Sequence, residues 1–341
     1  MNVLLTGATG LIGNALARRL VSRGYEVRAL VRDRDRARTV LPPEIALAHG
    51  DITDPPSVAA AVEQCELLFH AAGMPEQWAS DERIFDRINR YGTANVLDAA
   101  LRGGVRRVIY TSTMDVFFAP PGGTVVETAI DPRPKASAYE RSKQAAEREA
   151  DIRLAAGLDV VFVNPAAVYG PSPVHVGLNS LIIRLLTGRV PMLPPGGLSV
   201  AYVSGVADAH VAAAERGRSG ERYLLADTFV TTSDLAHHVA REGGLKRLPP
   251  TAPPALARGF AAFLAPFARR LGFTPMLAPG QLSFLLWRAA ADSTKATREL
   301  GFTPTRLTEG VKQTVAFLRT QGLVPAEQTG GEQRPARSTA Q

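Results

Sequence analysis

NVLLTGATGLIGNALARRLVSRG, residues 2–24, decides the fold. Asn2 to Thr6 form a short apolar run that reads as a buried strand, and LIGNALARRLVS spaces its apolar residues at helical intervals before stopping at Gly24. Between the two, Gly7, Gly10 and Gly13 recur at every third position. Glycines let the chain turn tightly after a strand and let the backbone approach an anion, which then sits at the helix N-terminus. This strand–turn–helix is therefore read as a cradle for the pyrophosphate of a dinucleotide, with Gly7, Thr9, Gly10, Leu11, Ile12 and Gly13 as the expected contacts.

Outward from this stretch the pattern repeats. YEVRALV (25–31), IALAHGD (45–51), ELLFHAAG (66–73), VRRVIYTS (105–112) and LDVVFVNP (158–165) read as further strands, and 84–104 and 137–157 carry helical patterns. Continuous apolar strands alternating with helices predict an α/β fold, a doubly wound parallel sheet covered on both faces, over residues 1–165. Beyond Pro165 the alternation weakens. Residues 166–324 are expected to form mainly a smaller, mostly helical substrate lobe, with segments near 200–226 returning to the core of the sheet. VPMLPPGG (190–197) and RLPPTAPPALA (247–257) read as loops, and 325–341 as a disordered tail.

The bulk composition narrows the function classes. The single cysteine, Cys65, cannot pair within the chain and reads as a small buried hydrophobe in a reducing, cytoplasmic setting. The start MNVLLTGATG lacks the basic and long apolar regions of a signal peptide, and no apolar run approaches the ~18 residues of a membrane span. The net charge is +7, yet the cations are scattered and no aromatic residues interleave with them, so nucleic acid is not an expected partner. Of 39 basic residues only five are lysine, leaving 34 arginines, so a lysine inside a motif is informative. No metal-ligand set is assigned.

The end of the second strand bears on cofactor choice. Arg32 is the first polar residue after Val31, where a guanidinium would pair with the 2′-phosphate of NADP; Asp33 next to it could instead take the ribose-binding role of an NAD site. NADP is the expected cofactor, with NAD as the alternative. Asp51 and Ile52 are expected to flank the adenine, and Ala71, Ala72 and Gly73 to let the chain pass close to the dinucleotide.

YERSK (139–143) places Tyr139 and Lys143 at i and i+4, on one helix face. A free phenol, with a pKa of about 10, is a poor base at neutral pH. An adjacent ammonium stabilises the phenolate, so the pair can exchange a proton with a substrate hydroxyl or carbonyl. Thr111-Ser112-Thr113 ends the fifth strand, on the side that faces a cofactor crevice.

Together these segments resemble the extended short-chain dehydrogenase/reductases, the NAD(P)-dependent epimerase/dehydratase family. The likeness runs from TGATGLIG through HGDITDP (49–55), INRYGTANVL (88–97), YTSTMDVF, YERSK and NPAAVYGP (164–171) to DSTKATRELGFTP (292–304). It implies a Rossmann fold with Tyr139 as catalytic acid/base. Lys143 would bind the ribose hydroxyls and depress the tyrosine pKa, Thr113 would hydrogen-bond the reacting oxygen, with Ser112 as the alternative, and Pro165 would lie in the turn under the nicotinamide.

Departures from the family pattern point to the substrate. Where nucleotide-sugar members carry an Arg-Asp pair this chain has Leu198-Ser199, their usual Asp pair becomes Ser204-Gly205, and Asn164 replaces a common arginine. Met74, Pro75, Trp78, Met114, Phe117, Phe118, Val174 and Val176 are expected near the pocket. The profile is most similar to the 3β-hydroxysteroid dehydrogenase and dihydroflavonol-reductase branch, and implies an NADP-dependent oxidoreductase for a bulky hydrophobic hydroxyl/ketone pair. Its rivals are a nucleotide-sugar epimerase or dehydratase and a non-catalytic dinucleotide sensor. Family members are often dimers, here through helices within 84–104 and 137–157, which implies a homodimer. In 255–273, Leu256, Phe260, Phe263, Leu264, Phe267 and Leu271 share one helical face, and Pro266 is expected to kink the helix. That face reads as a lid or core helix; the alternatives are a peripheral membrane contact and dimer packing.

Overall fold

Val3 and Leu5 point to one side of a sheet and Leu4 to the other, and all three are fully enclosed. Such two-sided burial is what a central parallel strand requires. In the computed structural model, which describes residues 1–128 and 130–325, these residues lie on β1 (Asn2–Thr6). There follow α1 (Leu11–Ser22), β2 (Glu26–Val31), α2 (Arg34–Val40), β3 (Ala46–His49), α3 (Pro55–Val62) and β4 (Leu67–His70). After a long loop come α4 (Arg83–Phe85), a π-helical turn over Asp86–Tyr91, α5 (Gly92–Arg102) and β5 (Arg107–Thr111). Next are β6 (Thr124–Val125), α6 (Ala138–Ala155), β7 (Val160–Pro165) and β8 (Ala167–Tyr169).

The rest of the chain forms α7 (Gly177–Leu186), β9 (Gly197–Tyr202), α8 (Val203–Arg216), β10 (Arg222–Leu225), β11 (Thr228–Thr231) and α9 (Thr232–Gly243). It ends with α10 (Pro254–Leu271), α11 (Pro279–Trp287), β12 (Ala290–Ala291), α12 (Thr294–Leu300) and α13 (Leu307–Thr320). The tail read at 325–341 lies, after Pro325, outside the described residues.

Seven strands form one parallel sheet in the order β10-β7-β5-β4-β1-β2-β3, the doubly wound arrangement expected. On one face Val3 and Leu5 pack with Leu16 and Leu20 of α1 and with Val206 of α8; on the other Leu4 and Leu68 pack with Val58, Leu97 and Ala146 of α3, α5 and α6. Each such leucine is worth roughly 1.5–3 kcal/mol of burial. Strand order reverses between β1 and β4, which opens a crevice at their carboxyl ends. A third cluster, with Ile182, Val200, Leu235, Val239 and Val315, joins α7, α9 and α13 to the small sheet β11-β9-β8.

Two local readings change. The helix expected over 84–104 contains the π-helical turn, in which Asn89 is turned into the interior; apolar periodicity does not register one extra residue in a turn. The loop expected over 247–257 ends at Pro253, because Pro254 occupies the first turn of α10, where its missing N–H leaves no bond unmade. Pro266, the expected kink position, lies inside α10.

Candidate active site

The crevice floor is built by glycine. Gly7 has φ +74°, and a Cβ on it would lie 2.5 Å from the backbone N of Ala72 and 2.6 Å from the carbonyl oxygen of Ala71. A Cβ on Gly13 would run into the carbonyl of Gly7. The turn is closed by the Gly10 N–H on the Gly7 carbonyl (2.9 Å), and Ala71 and Ala72 are tied to Thr6 through its carbonyl and its Oγ1 (both 3.2 Å). Thr9, Leu11 and Ile12 are partly exposed at the mouth. Gly10 caps α1 without a side chain, and no acidic residue lies in its first turn, so the N–H groups of that turn remain available. A cradle that only glycine fits, below an uncapped helix N-terminus, suits a pyrophosphate.

At the end of β2, Arg32 follows the strand directly and its side chain is 76% exposed, 3.9 Å from the carboxylate of Asp51. Asp33 caps α2 by accepting from the Arg36 N–H at 2.9 Å. Asp51 accepts from the N–H and hydroxyl of Thr53 (2.8 and 2.9 Å). Ile52 is buried against Gly92, and its carbonyl accepts from Asn95 at 3.0 Å.

A capping box sets the start of α6. Ser137 accepts from the Glu140 N–H at 3.1 Å, and the Glu140 carboxylate accepts from the Ser137 N–H at 2.9 Å. This puts Tyr139 in the first turn, with its ring edge-on to Phe85 at 6.4 Å and Thr113 near enough to its hydroxyl to influence its titration. One turn on, Lys143 is buried and its Nζ donates to the Thr111 carbonyl (3.0 Å) and to Tyr110 Oη (3.1 Å). Thr113, Tyr139 and Lys143 therefore meet at the carboxyl end of β5. Pro165 ends the neighbouring β7, and the adjacent Asn164 donates to the Thr113 carbonyl (3.2 Å) and the Glu147 carboxylate (2.7 Å).

The electrostatics depart from expectation in one respect. Burial pushes the Tyr139 phenol above its ordinary pKa, the charge of Asp115 adds to the rise, and the side chain of Thr113 opposes it. Lys143 spends its hydrogen bonds on Tyr110 and Thr111, so the anticipated lowering of the phenol is not the net outcome. Burial also lowers Lys143 itself to about 8, against the pull of Glu147 and Asp115.

Three residues were given no role by the sequence reading. Asp115 is buried two positions after Thr113, with Oδ1 unpartnered among the described residues. Desolvation and then the charge of Glu140 push its carboxyl up to about 7. Asn89 clamps the backbone of Met74 (2.7 Å from its N–H, 3.2 Å to its carbonyl) and donates to Ser142 at 2.9 Å, which holds the loop after β4 on α6. Tyr110, stacked on His70 with centroids 5.4 Å apart, receives Lys143. All three lie within the motifs INRYGTANVL and YTSTMDVF quoted for the family resemblance, but their roles depend on tertiary contacts. The apolar pocket expectation is also corrected: Met114 and Phe117 belong to a closed core cluster with Val116, Val125 and Leu224, and Phe118 lies outside beneath the Arg133 guanidinium.

The family model described as "NAD dependent epimerase/dehydratase family" matches residues 3–226. Sterol demethylase protein B of Methylococcus capsulatus is 31% identical over 328 residues, covering 95% of this chain and 100% of that protein. A 4-hydroxy-2-methyl-3-oxo-4-farnesyl-3,4-dihydroquinoline-1-oxide ketoreductase of Stigmatella aurantiaca is 31% identical over 230 residues, 67% of this chain and 68% of that one. The UDP-glucose 4-epimerase of Thermus thermophilus, solved in complex with NAD, superposes with a TM-score of 0.76 at 25% identity, covering 94% of this chain and 99% of that one. With a glycine cradle at the switch point of a parallel sheet and a family match over most of that sheet, the chain belongs to the NAD dependent epimerase/dehydratase family and is an NAD(P)-dependent enzyme of the extended short-chain dehydrogenase/reductase type.

Proposed function

We propose that the chain is an NADP-dependent oxidoreductase that interconverts a ketone and a hydroxyl on a bulky hydrophobic substrate. The observation that carries the reading is the meeting of Thr113, Tyr139 and Lys143 at the carboxyl end of β5, on the edge of the sheet where the glycine turn opens. The Gly7–Gly13 turn would hold the cofactor's pyrophosphate, and the bound nicotinamide would supply the hydride. Tyr139 Oη donates the proton to the substrate oxygen and Thr113 Oγ1 holds that oxygen, so one hydride and one proton turn the ketone into the hydroxyl. Burial holds the phenol above its ordinary pKa, so Tyr139 carries at neutral pH the proton it would donate. Lys143, still mostly protonated at pH 7, offsets the negative charge left on Tyr139 and offers its ammonium to the ribose hydroxyls.

NADP is favoured by Arg32, which is exposed beside the crevice, while Asp33 is engaged as a helix cap. The hydrophobic substrate is favoured by relatives named for a sterol and for a farnesylated quinoline, and by the absence of an arginine at Leu198-Ser199. The test is a 340-nm screen of ketosteroids, flavonoid and terpenoid ketones and UDP-glucose with NADPH and NADH. NADPH consumption with an apolar ketone is expected. Interconversion of UDP-glucose and UDP-galactose without net cofactor turnover would replace this reading with the epimerase one suggested by the solved structures.

A further inference from the structure

Helix α10 reverses the usual order of an amphipathic helix. Its small residues Ala257, Ala261, Ala265 and Ala268 are buried, and the first two pack on Leu282 of α11. Its large apolar residues face solvent: Leu256 is 57% exposed, Phe260 48%, Phe263 68%, Phe267 48% and Leu271 70%. These five follow one another at intervals of four, three, four and four residues, so they form one continuous stripe. Past Gly272, Phe273 and Met276 extend it with 39% and 44% exposure. A ridge of this size marks a place where something docks.

Charge selects the occupant. From Gly243 to Ala291 the chain has no aspartate or glutamate and carries Lys246, Arg247, Arg258, Arg269, Arg270 and Arg288. Arg258 and Arg270 are exposed on α10 itself. An apolar ridge within a purely cationic segment complements an acidic headgroup layer over hydrocarbon, whereas in a symmetric contact with a second copy the cations would face each other. No helix among the described residues is long and apolar enough to cross a membrane, which leaves contact at the surface.

We infer that the exposed face of α10 docks the protein on an anionic lipid bilayer. The docked end borders the active-site loop: Arg269 pairs with Glu82 at 2.7 Å and lies over Trp78 at 5.2 Å, and Gly280 of α11 abuts Ser137, the cap of the helix that carries Tyr139. The surface is independent of the substrate assigned above.

The full chain is tested by sedimentation with phosphatidylcholine vesicles, with and without about one quarter phosphatidylglycerol. Wild type is expected to bind the anionic vesicles at least about tenfold better than neutral ones, and less tightly as salt rises. Phe263→Gln with Phe267→Gln should abolish binding without lowering Tm, because neither ring is enclosed. Arg270→Gln should weaken binding about fivefold on anionic vesicles only. Failure of wild type to sediment with anionic vesicles overturns the inference. So does light scattering that finds a dimer which the Phe263/Phe267 variant converts to monomer with vesicle binding unchanged, since the face would then belong to a second copy.

Discussion

Substituting Gly7 by alanine probes the contact on which the proposed cofactor binding rests. Two penalties can be read from the structure. The residue sits at φ +74°, which costs a residue with a Cβ about 1–2 kcal/mol. The new Cβ would also lie 2.5 Å from the Ala72 nitrogen, so the β1 and β4 ends must part by at least about 0.5 Å to restore even a tight 3.0 Å contact. The Ala71 and Ala72 N–H bonds to Thr6, already 3.2 Å long, would then stretch to roughly 3.7 Å and cease to be hydrogen bonds, at about 1 kcal/mol each. Against this, alanine returns about 0.5–1 kcal/mol by restricting the unfolded chain. The net loss is about 3 kcal/mol, or about 4 °C in Tm for a chain of this length. Loss of one backbone contact to the pyrophosphate should weaken NADPH roughly 10- to 100-fold. Thermal melts and NADPH fluorescence titration read both quantities. Gly24→Ala is the control: it has φ +78° with nothing within 4 Å of its Cβ, so it should lose about 1 kcal/mol and no cofactor affinity. If Gly7→Ala matches Gly24→Ala in both measurements, the glycine does not shape the cofactor crevice.

Other outcomes follow from the site. Tyr139→Phe should lower kcat about 10²- to 10⁴-fold with NADPH affinity nearly unchanged, measured by steady-state kinetics and titration; full activity would remove the phenol from the mechanism. Arg32→Ala should weaken NADPH about tenfold or more and NADH hardly at all, and equal effects would make it a surface charge only. Stability between pH 7 and 5 is set by opposed groups. Burial lowers His70 to about 3 and His210 to about 4, so their contribution is complete above about 6.5 and declines as pH falls toward those values. The raised Asp115 acts oppositely: its folded form keeps a proton that the unfolded chain releases, so it favours the fold more as pH falls below 7. Asp115→Asn should therefore lose about 2 kcal/mol more than wild type on going from pH 7 to 5, by urea unfolding at each pH. Parallel profiles would mean that Asp115 is ionised in the fold.

The doubly wound sheet was legible because each of its parts is a local pattern: apolar strands such as Val3–Leu5, the triplet Gly7, Gly10 and Gly13, and Tyr139 one turn before Lys143. Strand, turn and helix preferences act over a few residues, so a linear reading contains them. What Lys143 bonds to is different. Tyr110 and Thr111 lie more than thirty positions away and reach it only through the packing of α6 on β5, and that packing also desolvates Tyr139 and Asp115 and reverses the expected direction of the phenol's pKa. Likewise the periodicity of 255–273 established that Leu256, Phe260, Phe263 and Phe267 share a face, but not whether that face turns inward. Periodicity is symmetric between a face turned to the core and one turned to solvent. Only the fit of the alanine stripe against α11 decides that the rings point out.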